Sequence, residues 1–380
     1  MRTLRLLFLR LLALLARPWV LPPTGEVQRI LYIKPDHLGD LLLATPVLAA
    51  LRQAHPDAQI AALVGPWSRM VLERNRDVDV LQICPFPGFE RQPKNKRLPA
   101  FSAYTRLLHY AALLRAGRYD LAIIGRDDHW WGAALALLAG VPLRVGFAVP
   151  ECQLFLTTAL PWNAHDHVTQ QGLELVRAST TRPITSHHQT TFTPAPADTA
   201  WANDWLAANL ERGQHLVIIH PGTGGWAKHW LNEHWAEVAD ALAVEPGVRV
   251  VLTGGPGEEA RVAEVQASMN STALDLAGKT SVGQLAALMA RATLVLGVDS
   301  GPLHLAAATG ARTIHLYGPG DPARFGPWGD PARHMVLQTN LWCQPCGEFS
   351  ACPRGLAVPE CMERLSVEEV LGAGGLGLGA

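Results

Sequence analysis

The sequence predicts an α/β protein of two domains, each built on a parallel sheet, on three observations. The chain has 380 residues, more than a single hydrophobic core ordinarily serves. Short, apolar, β-branched runs alternate with stretches of helical length in both halves, the rhythm of strand–helix–strand units. One such unit is written out in full. The run Thr293–Val298 stops at Asp299-Ser300-Gly301-Pro302, an apolar stretch Leu303–Thr309 follows, Gly310 ends it, and Arg312–Leu316 is the next strand. Ser300 can cap that helix, Gly301 permits close backbone approach, and Pro302 suits a first turn. The loop belongs at the carboxyl edge of the sheet, where open α/β sheets bind ligands and helix N–H groups meet an anion. Asp299, Ser300 and His304 would line that spot; the alternative is a capped helix with a core histidine. Composition narrows the classes. With 48% hydrophobic residues, 17% charged residues and a net charge of −1, the chain is neither disordered nor a general polyanion binder, so no nucleic-acid partner is expected. Six cysteines at this length are not a secreted disulfide scaffold.

Residues 1–25 read as an arm. Met1–Pro18 is leucine-rich and broken by Arg2, Arg5, Arg10 and Arg17, which at about 100° per residue share one side of a helix. Arg10 interrupts the apolar run, so a spanning helix of about 20 residues is not expected. No small-x-small cleavage site marks a signal peptide. The arm suits either an anionic membrane surface, through residues 1–18, or the protein's own surface. A first domain, 26–190, opens with the strand Arg29–Lys34, the loop Pro35-Asp36-His37-Leu38-Gly39-Asp40 and the helix Leu41–His55. Asp40 is either an acid complementing the helix dipole or a carboxylate placed to take a proton. Strands Ala58–Val64 and Val78–Ile83 follow. Pro85–Pro99, with Arg91, Lys94, Lys96 and Arg97, is a solvated loop or a basic flap over an anionic acceptor. Phe101–Arg115 is helical and Tyr119–Ile124 a strand, with Arg126-Asp127-Asp128-His129-Trp130-Trp131 just past its end. The adjacent acids are not the spaced pair that binds a metal–nucleotide, and the tryptophans read as core or as a platform for an acceptor. A helix Ala133–Ala139 and a strand Arg144–Phe147 precede a linker holding His165, His167, His187 and His188, in no metal-binding spacing.

The second domain, 191–362, repeats the rhythm. A helix Ala200–Leu210 and a strand Leu216–His220 lead to Pro221-Gly222-Thr223-Gly224-Gly225-Trp226-Ala227-Lys228. The glycines let backbone approach a phosphate, Thr223 adds a hydroxyl and Lys228 a compact charge, in a spacing that is neither P-loop nor dinucleotide fingerprint. After the helix Asn232–Ala243, the strand Val248–Thr253 ends in Gly254-Gly255-Pro256-Gly257-Glu258, where Glu258 suits ribose hydroxyls or a helix start. Leu274–Ala277 and Val282–Arg291 then form a strand and a helix. Cys343-x2-Cys346-x5-Cys352-x8-Cys361 has a metal site's ligand count in irregular spacing, and reduced structural cysteines are expected ahead of a zinc or iron–sulfur site. Residues 363–380 hold a last helix, Leu365–Leu371, and a Gly-rich tail.

Taken in order, Leu38-Gly39-Asp40, His220-Pro221-Gly222-Thr223 with Lys228, Gly254 to Glu258, and Asp299 to His304 resemble glycosyltransferase family 9, the ADP-heptose:lipopolysaccharide heptosyltransferases. The cysteine tail is similar to the heptosyltransferase II branch. The resemblance implies a GT-B fold, two Rossmann-like domains with a cleft between them. The C-terminal domain would hold ADP-heptose or another nucleotide sugar, and the N-terminal domain an anionic lipid-linked glycan. The last helix would cross back onto the first domain. Inverting transfer without a metal cofactor is implied, with Asp40 as general base. Lys228, Thr223, Gly224 and the Ser300-Gly301-Pro302-Leu303 turn would hold the pyrophosphate, Glu258 the ribose, and Asp299 and His304 the donor sugar or its phosphate. Arg91, Lys94, Lys96, Arg97 and Arg126 would meet the acceptor, at the inner face of the plasma membrane. The arm precedes the family's usual first strand, so a different acceptor or sugar is the alternative. An epimerase of the same fold and a non-catalytic nucleotide-sugar binder are the competing classes; Asp40 together with Lys228 argues against the binder.

Overall fold

The computed structural model describes residues 2–23, 25–90, 102–185 and 188–374. In the first half, β1 (Arg29–Lys34), β2 (Gln59–Val64), β3 (Val80–Ile83), β4 (Leu121–Ile124), β5 (Leu143–Phe147) and β6 (Thr158–Leu160) form a parallel sheet in the order β3-β2-β1-β4-β5-β6. In the second, β7 (His215–His220), β8 (Val248–Leu252), β9 (Leu274–Asp275), β10 (Leu294–Val298), β11 (Thr313–Tyr317) and β12 (His334–Gln338) form another in the order β12-β11-β10-β7-β8-β9. The two orders are the same doubly wound pattern. Central strands are buried along their length, as helices on both faces require, which is why they read as unbroken apolar runs rather than alternating ones. The order reverses between β1 and β4 and again between β7 and β10, and the crevice at such a switch point is where these sheets take ligands.

The chain forms two compact units, Met1–His37 with Ala44–His188, and Leu38–Leu43 with Gln189–Ala380. Each has its own core. Several elements differ from the sequence reading. The expected helix Leu41–His55 is two helices, Leu38–Leu42 and Thr45–Ala54, because Pro46 lacks the N–H that would continue the first and suits the start of the second. The region read as a linker contains the helix Val168–Ala178, whose first turn is capped by His167 Nδ1 accepting from Thr169 N at 3.1 Å. The short strands β6 and β12 were not foreseen. The last helix, Val367–Gly374, packs on the helix Asn232–Ala243 of the second unit, and Val370 is fully buried there. The expected return to the first domain is thereby corrected. Gly310, at φ +83°, ends the helix Gly301–Ala308 in the left-handed conformation expected of it. Among the described residues no helix is long and apolar enough to cross a membrane.

Candidate active site

In the second unit, the loops leaving β7 and β10 lie side by side at the switch point. After His220 the chain passes Gly222, where a Cβ would stand 2.3 Å from the Glu258 carboxyl carbon, so only glycine leaves the carboxylate its place. Thr223 donates its hydroxyl to the Asp299 carbonyl at 3.2 Å. A single 3₁₀ turn, Trp226–Lys228, then returns Lys228 Nζ to 3.3 Å from Asp299 Oδ2, with both side chains largely buried. Phe349 closes the other side of the ammonium, its ring centroid 4.8 Å away, and its carbonyl accepts from Ala227 N at 2.9 Å. Gly224 is exposed beside this pair.

The helix Gly301–Ala308 begins here, with Ser300 in extended backbone and Pro302 in its first turn. Ser300 does not cap it. Its hydroxyl is buried without a hydrogen-bond partner, which corrects the expectation of an N-cap. Leu303 is core, filling the space over Gly297. The short helix Leu38–Leu42 packs on this one, and a Cβ at Gly39 would stand 3.0 Å from His304 Cδ2 and 3.4 Å from Gly301 Cα. His304 therefore lies under Gly39, its ring 5.9 Å from that of His315. Asp40, the next residue, is half-buried in the same turn. Tyr317, at the end of β11 and fully buried, joins the acids. Burial first, then Asp299 and Asp40, hold its hydroxyl well above the usual range, and it donates to the Phe325 carbonyl at 2.8 Å. The sequence analysis did not single out Tyr317.

Glu258 precedes the helix Glu259–Ser268 and accepts from Gly255 N at 2.7 Å. His220 Nε2 stands 3.5 Å from the same oxygen, and its other nitrogen is 3.0 Å from the Thr253 hydroxyl. The hydrogen bond from His220 holds the carboxyl below its usual range against the opposing effect of burial. Glu258 thus starts that helix at the carboxyl edge of β8.

The first unit has its own charged cluster at its switch point. Asp36, beyond β1, lies 3.1 Å from Lys34 Nζ and pairs with Arg126 from beyond β4, which also holds Asp128 at 2.5 Å. Burial alone would raise the Asp36 carboxyl; Lys34 and Arg126 outweigh it and hold it below the usual range. His129 is enclosed by Phe86, Phe89 and Trp131, and burial pushes it down to about 3. Arg126 is the sequence-predicted member; Lys34 and Asp36 were missed. Arg91, Lys94, Lys96 and Arg97 lie outside the described residues.

The cysteine segment is wired to the site. Gly347 N donates to the Pro319 carbonyl at 2.9 Å, and Gln344 Nε2 to the Gly318 carbonyl at 2.8 Å. Cys343, Cys346, Cys352 and Cys361 are free thiols. Burial, then the other three cysteines, pushes Cys361 up to about 11. Among the described residues no group of side chains is arranged to hold a metal ion.

A sequence model described as glycosyltransferase family 9 (heptosyltransferase) matches residues 108–352. The chain belongs to this family. The family-9 chain is 32% identical to the lipopolysaccharide heptosyltransferase 3 of Escherichia coli over 304 residues, 77% of this chain and 84% of that one. It is 25% identical to lipopolysaccharide heptosyltransferase 2 of E. coli K12 over 328 residues, 82% and 89% of the two chains. The solved structure of E. coli ADP-heptose LPS heptosyltransferase II superposes with a TM-score of 0.71 at 21% identity, covering 91% of this chain and 97% of that one. The fold is therefore GT-B, and the family-9 chain is a glycosyltransferase.

Proposed function

We propose that this enzyme moves a heptose from ADP-heptose to a lipid-linked glycan of the lipopolysaccharide-core type, with inversion. The observation that carries the reading is the meeting, at one switch point, of Lys228, Thr223, the unpartnered Ser300 hydroxyl and the start of the helix Gly301–Ala308. A cation, two hydroxyls and a helix N-terminus are what a departing diphosphate needs, and they supply charge stabilisation without a metal. Asp40, in the turn packed on that helix, takes the proton of the acceptor hydroxyl. Glu258, oriented by Gly255 and His220, binds the ribose. Asp299 positions Lys228, and His304 acts through Gly39 by setting the height of the Asp40 turn. Arg126, held by Asp36 and Asp128, meets acceptor anions at the cytoplasmic face of the membrane.

Two variants test this. Asp40→Ala is expected to lower kcat by roughly 10²–10⁴-fold while ADP binding by calorimetry is retained; unchanged turnover would sink the base assignment. Lys228→Ala is expected to weaken the thermal stabilisation given by ADP. Wild-type stabilisation by UDP or GDP in preference to ADP would keep the glycosyltransferase and discard the heptose donor.

A further inference from the structure

The arm helix Arg2–Ala16 docks on the first unit by a narrow side of mostly small residues and leaves four of its leucines exposed. Leu9, Ala13 and Ala16 are buried in the core at 1%, 7% and 2% exposure. At about 100° per residue Arg5 and Arg10 stand on the two flanks of that side, and both are exposed. The opposite side carries Leu7, Leu11, Leu14 and Leu15, which are 54%, 55%, 55% and 67% exposed. A helix needing only the protein's own core would have buried its leucines, since apolar burial is the dominant favourable effect.

A second helix extends this surface. Phe8 meets Tyr104 edge-on at 5.8 Å, and Trp19 O accepts from Arg115 Nη1 at 2.7 Å. These two contacts, equally spaced along both segments, set the helix Ser102–Arg115 alongside the arm. On the Tyr104 side of that helix, Leu108 is 54% exposed. Neither helix contains an acidic residue, in a chain whose net charge is −1, and Arg5, Arg10 and Arg17 are exposed along the flanks.

We infer that these two helices form a bilayer-docking face, which inserts Leu7, Leu11, Leu14 and Leu15 at the acyl boundary of an anionic leaflet. A leucine face flanked by arginines and lacking carboxylates fits headgroup phosphates, with the guanidinium stems covering apolar surface. A second copy fits less well, because an isologous contact would set the same arginines against one another. Arg5 lies over the Trp130 ring at 5.3 Å, so the face adjoins the loop carrying Arg126. Its usefulness for a lipid-held acceptor rests on the proposed function; the docking does not.

The test is co-sedimentation of the full chain with phosphatidylglycerol/phosphatidylcholine vesicles and with pure phosphatidylcholine, for wild type, Leu11→Glu/Leu14→Glu/Leu15→Glu and Arg10→Gln/Arg17→Gln. Wild type is expected to pellet with anionic vesicles. The triple variant should lose at least about tenfold in partitioning with an unchanged melting temperature. The arginine variant should lose roughly fivefold per charge, on anionic vesicles only. Wild type remaining in the supernatant, or a triple variant that pellets equally, overturns the inference. So does a wild-type dimer in sedimentation velocity that the triple variant abolishes without any vesicle binding. ADP stabilisation is measured on every variant. Its retention in a variant that no longer docks separates the membrane face from the donor site.

Discussion

A Cβ on Gly39 would press on the His304 ring, so this glycine sets how closely the Asp40 turn approaches the helix Gly301–Ala308. Gly39→Ala is expected to lower kcat by roughly tenfold, since small misplacements of a reacting group are costly, with ADP affinity changed less than about twofold. Steady-state kinetics beside calorimetry checks this, and equal losses in both would mean that Gly39 acts through folding alone. Acid stability is set at the same scale. His129 is held neutral down to about 3, whereas the unfolded chain takes that proton near pH 6.5. Folding therefore loses up to about 1.4 kcal/mol per pH unit as pH falls from about 6.5 towards 3. Asp36 adds to this lower down. Its folded carboxyl is depressed, so its contribution is complete above the unfolded value near 3.9 and is lost as pH falls through the lower folded one. A melting-temperature profile from pH 7 to 3 is expected to fall throughout and to steepen below about 4. Asp36→Asn removes the carboxylate, only 3% exposed at its side chain, that pairs with Lys34 and Arg126, leaves them Gly125 O and Asp128, and is expected to cost about 3–5 kcal/mol in chemical denaturation.

Between residue and molecule stands the irregular segment carrying the cysteines. It bonds to Ala227, Pro319 and Gly318 and lays Phe349 on Lys228, so its visible work is to brace the loop that carries Lys228. Phe349→Ala is expected to raise the donor KM about two- to fivefold, the value of an exposed cation–π contact, without loss of fold by circular dichroism. Elements of this kind decided what the sequence could disclose. Asp40, Asp299 and Glu258 could be singled out as candidates because each closely follows an apolar strand and stands beside glycine or a helix start, and Lys228 because it ends a glycine-rich loop, all local signals. Asp36 with Arg126 was not, because that pair forms only once β1 and β4 are known to be neighbours. Ser300 satisfied every local rule for an N-cap and still kept its hydroxyl aside. The arm's periodicity showed two different sides but could not say which one the core would take.

At the scale of the molecule, two sheets of the same strand order each concentrate charge at their switch points. The donor groups assigned above all belong to the unit of Leu38–Leu43 and Gln189–Ala380. Calorimetry is expected to show ADP raising the transition of that unit by about 2.7 kcal/mol at a hundredfold excess over Kd. Lys228→Ala should reduce the shift, and Asp36→Asn should leave it intact. The six residues Leu38–Leu43 carry a further consequence. They are translated early, between β1 and the helix Thr45–Ala54, yet Leu41 and Leu42 are wholly buried in company that includes the helix Gly301–Ala308. On the ribosome the nascent first half can assemble its sheet, but this turn has nowhere to settle until the distant half emerges. The carboxylate proposed as the base is thus among the last groups to reach its place, and a truncated nascent chain cannot be an active one.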